Sequence, residues 1–363
     1  MGRWKIGSLT AALGCIALGV IIALIQYGKL TYEAIGYLWP ALLILLGLEM
    51  LMRLLYRSET KTRTSGLAIV LIVLLGLVSG GQSALPGGSL DSLLGKAHLS
   101  SVNGTVQTGT NIKKVIISIP NGRVKINGIE GSALTYEGKL LSPGSSQSES
   151  EQAMKENWKV RTDGDTVVLE MTAEKSLFSG IYFGFSGNSP YLNVSLPAAL
   201  AVKIDTSDGS LDVSDLEGGI EADTSNGRIE MRGIKGGVKA STSNGSLNLQ
   251  SVEGGAHITS SNGSITLENI AGQVYAKSSN GKIVIKSPIT GNWDCASSNG
   301  SISLTLPQAT DATIAADTSN GSLKGSVNWQ EKSGDHGSAV LGGGNHAVKL
   351  STTNGSVTAD IAE

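Results

Sequence analysis

From residue 208 onward an Asp-Gly or Asn-Gly pair returns on a fixed beat. Its first residue is Asp208, then Asn226, Asn244, Asn262 and Asn280, an interval of 18 four times in succession. Asn299, Asn320 and Asn354 continue the series at intervals of 19, 21 and 34. Apolar residues keep step with these corners. Three and five residues after each stand Leu211 and Val213, Ile229 and Met231, Leu247 and Leu249, Ile265 and Leu267, Ile283 and Ile285. Eight residues after stand Leu216, Ile234, Val252 and Ile270. Twelve and fourteen after stand Ile220 and Ala222, Val238 and Ala240, Ala256 and Ile258, Val274 and Ala276. Alternation with period two marks two short strands per unit. Glycine turns such as Gly218-Gly219 and Gly236-Gly237 separate them, and the Asn-Gly pair is expected to supply a left-handed backbone at the other corner.

One such unit buries too few aliphatic side chains to offset the entropy of ordering it. Neighbours must supply a continuous core and the missing backbone partners, so the pattern predicts an all-β solenoid, β-helix-like, with 18-residue coils over 205–363. The Ser/Thr pairs before each corner should stack, with Asn above Asn. A β-sandwich also turns every 8–12 residues, but it does not require identical register over five units. Residues 112–204 read as an irregular lead-in β region, with a polar loop over 142–152 and a short helix over 151–158. Tyr182, Phe183 and Phe185 share one aromatic stretch. It reads either as a loop that touches a ligand or membrane, or as a plug over the open end of the solenoid.

The first part of the chain has a different pattern. Residues 1–81 carry seven Lys/Arg against three Asp/Glu, although the whole chain has a net charge of −2. Apolar runs at about 6–26, 34–52 and 64–81 reach membrane length, and predict an α-helical transmembrane module of three spans ahead of the solenoid. Residues 82–111 read as a linker. Basic residues before the first run and between the second and third place those segments on the cytoplasmic side. The chain then reads as a multi-pass cell-membrane protein with an extracytoplasmic C-terminal domain and the lipid bilayer as a partner. Glu49, inside the second run, is either a functional carboxylate or an i, i+4 partner of Arg53.

Tyr37-Leu38-Trp39-Pro40-Ala41-Leu42-Leu43-Ile44-Leu45-Leu46-Gly47 resembles the membrane segment of Lia-type cell-envelope stress proteins. Val194-Ser195-Leu196-Pro197, followed by the stretch from Val202 to Leu211 and the repeated SNGSI units, is similar to the bacterial putative-adhesin family of β-strand-repeat domains. These resemblances imply a solenoid-like β domain on the cell surface; its hydroxyl- and amide-rich faces are expected to contact envelope polymer or another membrane protein, as part of envelope-stress sensing.

Chemistry-bearing motifs are few. The chain contains no P-loop, no GxSxG, no dinucleotide fingerprint and no calcium nonapeptide. Cys15 and Cys295 offer neither a zinc quartet nor a disulfide framework. Asp335, His336 and His346 lack the spacing of a metal site. Asp205, Asp223 and Asp317 recur near corners, but other coils place Ser or Lys there, so no column of acids is expected. A mildly acidic repeat region, poor in aromatics, excludes nucleic acid as a partner. The sequence implies no catalytic residue and no cofactor. It points to an adhesin-like binding module, with a polysaccharide-acting β-helical enzyme and a self-associating scaffold as alternatives.

Overall fold

The computed structural model describes residues 97–144, 146–172 and 189–362, together with Ala12, Leu13, Ile16, Ala17, Val20, Leu42, Ile44 and Leu45, all helical. The chain divides into two compact units. One comprises 1–97, 144–146 and 174–187, and the other 98–143, 147–173 and 188–363. The second unit carries the described β structure, in two sheets of 12 and 13 strands.

Each 18-residue unit gives one strand to each sheet. The strands that follow the corners, Leu211–Leu216, Ile229–Ile234, Leu247–Val252 and Ile265–Ile270, pair in parallel in the first sheet. Those that precede the corners, Ile220–Thr224, Val238–Thr242, Ala256–Ser260 and Val274–Ser278, do the same in the second. Register advances by one repeat: Leu211 opposes Ile229, which opposes Leu247, then Ile265 and Ile283. Every inward side chain therefore lies over its equivalent in the next coil. The two inner faces close on one continuous aliphatic core in which Leu211, Ile229, Leu247 and Ile265 are 0–1% exposed.

The corners differ from expectation in backbone conformation. The left-handed residue lies seven positions after the corner, at Asp215, Gly233, Ser251 and Asn269 (φ 60, 63, 58 and 53°). That residue breaks the two-residue alternation and turns the next side chain, Leu216, Ile234, Val252 or Ile270, back into the core. The corner glycines are instead required by stacking. A Cβ on Gly263 would collide with the carbonyl oxygen of Gly245 one coil away. From the Asn226 corner onward, the buried hydroxyl two residues before the corner also bonds between coils. Ser278 Oγ donates to the Gly263 carbonyl (3.1 Å), Ser297 to Gly281 (2.9 Å) and Thr352 to Gly300 (2.8 Å).

The stretched last intervals have a topological cause. Strands His346–Thr352 and Val357–Ile361 lie between the coil of Trp293–Ser297 and Ile302–Leu306 and the coil of Ala312–Thr318 and Leu323–Lys324. The final coil in sequence is thus the penultimate one in space. The intervening chain folds back as His336–Leu341, antiparallel on Ala312–Thr318, with Glu331–Lys332 antiparallel outside it.

At the other end, Lys114–Asn121 and Arg123–Ile129 form a coil in parallel register with Ala201–Asp208 and Leu211–Leu216. Thr166–Met171 and Tyr191–Pro197 extend it, and antiparallel strands Trp158–Asp163 and Ala133–Pro143 lie outside them. The helix expected over 151–158 runs instead from Gln147 to Asn157, because Trp158 starts a strand whose ring meets Tyr136 (centroids 5.6 Å apart). Ala97–Gln107 is a strand within the stretch expected to be a linker.

The expected fold class, a solenoid preceded by a three-span helical module, is corrected. Among the described residues the architecture is nearly all β, with two long parallel-rich sheets, and no helix is long and apolar enough to cross a membrane. Gln147–Asn157 has 11 residues and carries Glu149, Glu151, Lys155 and Glu156. It is about 16 Å long, half the hydrocarbon thickness. The multi-pass cell-membrane localisation, with an extracytoplasmic C-terminal domain, falls with the same finding. Apart from the eight residues named above, the spans at 6–26, 34–52 and 64–81 lie outside the described residues.

Candidate functional site

The corner residues expected to form a ladder do meet. Asn226 Nδ2 donates to Asp208 Oδ1 (2.7 Å), Asn244 to Asn226, Asn262 to Asn244 (both 2.8 Å), Asn280 to Asn262 (2.7 Å) and Asn299 to Asn280 (2.8 Å). The intercalated coil continues the series, Asn354 donating to Asn299 and Asn320 to Asn354, both at 2.8 Å. Each amide nitrogen donates to a neighbouring corner, so this column holds coils together. Tyr182, Phe183, Phe185 and Glu49 lie outside the described residues.

A different column faces outward on the second sheet. Strand register aligns Lys203, Glu221, Lys239, His257, Tyr275, Asp294, Lys349 and Ala315 in that order. Its beginning is closed by ion pairs: Lys239 Nζ lies 2.7 Å and Lys203 Nζ 3.7 Å from the Glu221 carboxylate. The hydrogen bond from Lys239 holds the Glu221 carboxyl below its usual range and, reciprocally, raises the lysine. His257 and Tyr275 follow as a stacked pair, centroids 4.5 Å apart and rings 15° from parallel. Asp294 and Lys349 come next in register without closing an ion pair on each other.

A groove of about 770 Å³ follows this column, within the range of small-molecule sites. Gly237, Gly254 and Gly255 recess one side of it, since the turn carries no side chains there. Gln273, Asn292 and Thr313 border it, with Trp293 beneath, 2% exposed, its Nε1 donating to the Gly272 carbonyl (3.0 Å). Asn292 Oδ1 accepts from the Ala347 amide (2.9 Å), tying the groove to the intercalated coil. Cys295, directly behind Asp294, points into the core, and its burial pushes the thiol up to about 12.

The other sequence candidates separate. Asp205 and Asp223 are neighbours in register, and Asp317 lies at the far end of the sheet. Burial raises Asp205, and Ser241 Oγ donates to Asp223. His336 bonds Asp317, with Asp335 3.7 Å away, while His346 opposes Ala312 at the other end of the same strand. Among the described residues no group of three or more acids, histidines or cysteines is arranged to hold a metal. The groove escaped the sequence reading because its positions share no residue type. The one available signal was the succession Glu221, Lys239, His257, Tyr275 at a constant offset, and its continuation to Asp294 and Lys349 crosses the irregular intervals.

A family model described as Toastrack DUF4097 matches residues 144–359. Among solved structures, a "putative cell adhesion protein" from Clostridium sporogenes is 12% identical with a TM-score of 0.29, over 73% of this chain and 100% of that one. A "putative adhesin" from Bacteroides fragilis is 12% identical with a TM-score of 0.30, over 72% and 97%. Likenesses of this size carry no functional inference. No curated protein matches.

Proposed function

We propose that this chain, which belongs to the Toastrack DUF4097 family, is a non-enzymatic, adhesin-like interaction module whose working surface is the outer face of the second sheet. The observation that carries this reading is the groove along His257, Tyr275, Asp294 and Lys349, on strands whose inner residues are locked in the shared core. A rigid sheet with a recessed, mixed-polarity strip suits recognition of an extended partner such as envelope polymer. Glycoside hydrolysis requires a pair of working carboxylates across the bond to be cut. Here Glu221 is held by two lysines and Asp294 is the only other acid of the column. Self-association end to end is disfavoured by the antiparallel strands that lie outside both sheets at one end and outside the second sheet at the other, where they replace the parallel edge a further coil would need.

Co-sedimentation of the full chain with insoluble cell-wall polymer tests the reading. Saturable retention with no reducing ends released is expected. Release of reducing ends, or no retention above background, overturns it.

A further inference from the structure

Tyr275 is stacked on one ring face only. His257 covers that face, and the opposite face turns toward the next coil, where the aligned residue is the shorter Asp294. One coil step is about 4.8 Å, so beyond the ring the column drops to Asp294 and the recess deepens. Polar side chains that the fold leaves without a hydrogen bond line the groove there: Gln273, the NH2 of Asn292 (its oxygen being taken by Ala347), Asp294 and Lys349.

This set selects among ligand chemistries. A peptide adding as a strand needs an open edge, and the strands here, Ala256–Ser260, Val274–Ser278 and Trp293–Ser297, are paired on both sides. A polyanion needs several free cations in a row, and Lys239 is already committed to Glu221. An apolar ligand would strand a carboxylate, an ammonium and two amides without partners. A neutral polyhydroxylated ring satisfies all of them. Its C–H face lies on an aromatic ring, and its hydroxyls both donate to Asp294 and accept from the amides.

We propose that the groove binds a neutral saccharide chain, with one sugar ring stacked on the open face of Tyr275 and its hydroxyls held by Asp294, Asn292 and Gln273. The chain runs along the coil axis toward Lys349. This assignment rests on the interaction-module reading and names its ligand class.

Calorimetric titration of the full chain with cellohexaose, chitohexaose and mannohexaose, and with hexagalacturonate as the acidic comparator, tests it. At least one neutral hexamer is expected to bind more tightly than hexagalacturonate. Tyr275→Ala should weaken that binding at least about tenfold, equivalent to one aromatic contact, while Tyr275→Phe stays within about threefold and both variants keep the parent thermal midpoint. Preference for hexagalacturonate, binding undiminished in Tyr275→Ala, or no binding of any neutral hexamer overturns the saccharide assignment. If polymer retention persists in that last case, the interaction module stands without it. Hydrolysis of a hexamer overturns both.

Discussion

Each ladder asparagine uses its side chain in one direction, Nδ2 donating toward the preceding corner and Oδ1 accepting from the following one. Such a chain of amides ends at a group that only has to accept, and the residue there is Asp208, the one acid of the series. Asn262→Asp therefore removes a needed donor and sets its carboxylate against Asn244 Oδ1. It should cost about 1 kcal/mol, whereas Asp208→Asn keeps the acceptor and should stay within about 0.5 kcal/mol. Urea denaturation at pH 7 separates the two, and equal losses would refute the directional ladder. The left-handed positions give a second test. Ser251 adopts φ 58° where the equivalent residue one coil earlier is Gly233. A side chain there costs about 1–2 kcal/mol, partly offset by the stiffer unfolded chain. Ser251→Gly should raise stability by about 0.5 kcal/mol and Gly233→Ala should lower it by about 1 kcal/mol, read as opposite shifts in the denaturation midpoint.

At the scale of elements, the two ends of the stack are finished differently from its middle. Interior strands exchange backbone bonds with identical neighbours, but Ala312–Thr318 is covered by the antiparallel His336–Leu341. His336 bonds Asp317 across that pair, and this hydrogen bond, aided by the charge of Asp335, raises the imidazole above its ordinary 6.5. A raised folded-state value means that the contact is fully present below the unfolded-state value and is lost as pH climbs through the folded one. The imidazole and both carboxylates are exposed to solvent, so the effect stays local. In an NMR titration His336 should titrate above 6.5 and return to the ordinary histidine range in Asp317→Asn. An unchanged value in the variant would show that Asp317 is not the cause.

For the whole β unit, stability is shared between nearest neighbours, as in any stack of repeats. The exception is the intercalated coil 346–361, which joins two coils that precede it in sequence. Deleting residues 346–363 should therefore do more than shorten the stack. The segment 307–345 loses its only parallel contact with the rest and should become protease-sensitive, while cleavage within 201–306 stays slow. Continued protection of 312–341 would mean that the permuted order contributes nothing. The eighteen-residue beat was legible because stacking forces equivalent residues into equivalent surroundings: the inward aliphatics, the corner amides and the pairing of coil with coil all follow from periodicity. The left-handed position was not legible, since Asp, Gly, Ser and Asn occupy it in turn and no one residue type marks it. The groove was equally hidden. Outward positions have no shared core to constrain them, so Tyr275, Asp294 and Lys349 look unrelated until the register sets them side by side. Local sequence determined the coil, because every coil solves the same packing problem. Only the tertiary structure decided the order of the last coils and the surface they create, because strand pairing depends on which edge is open and not on which residue comes next.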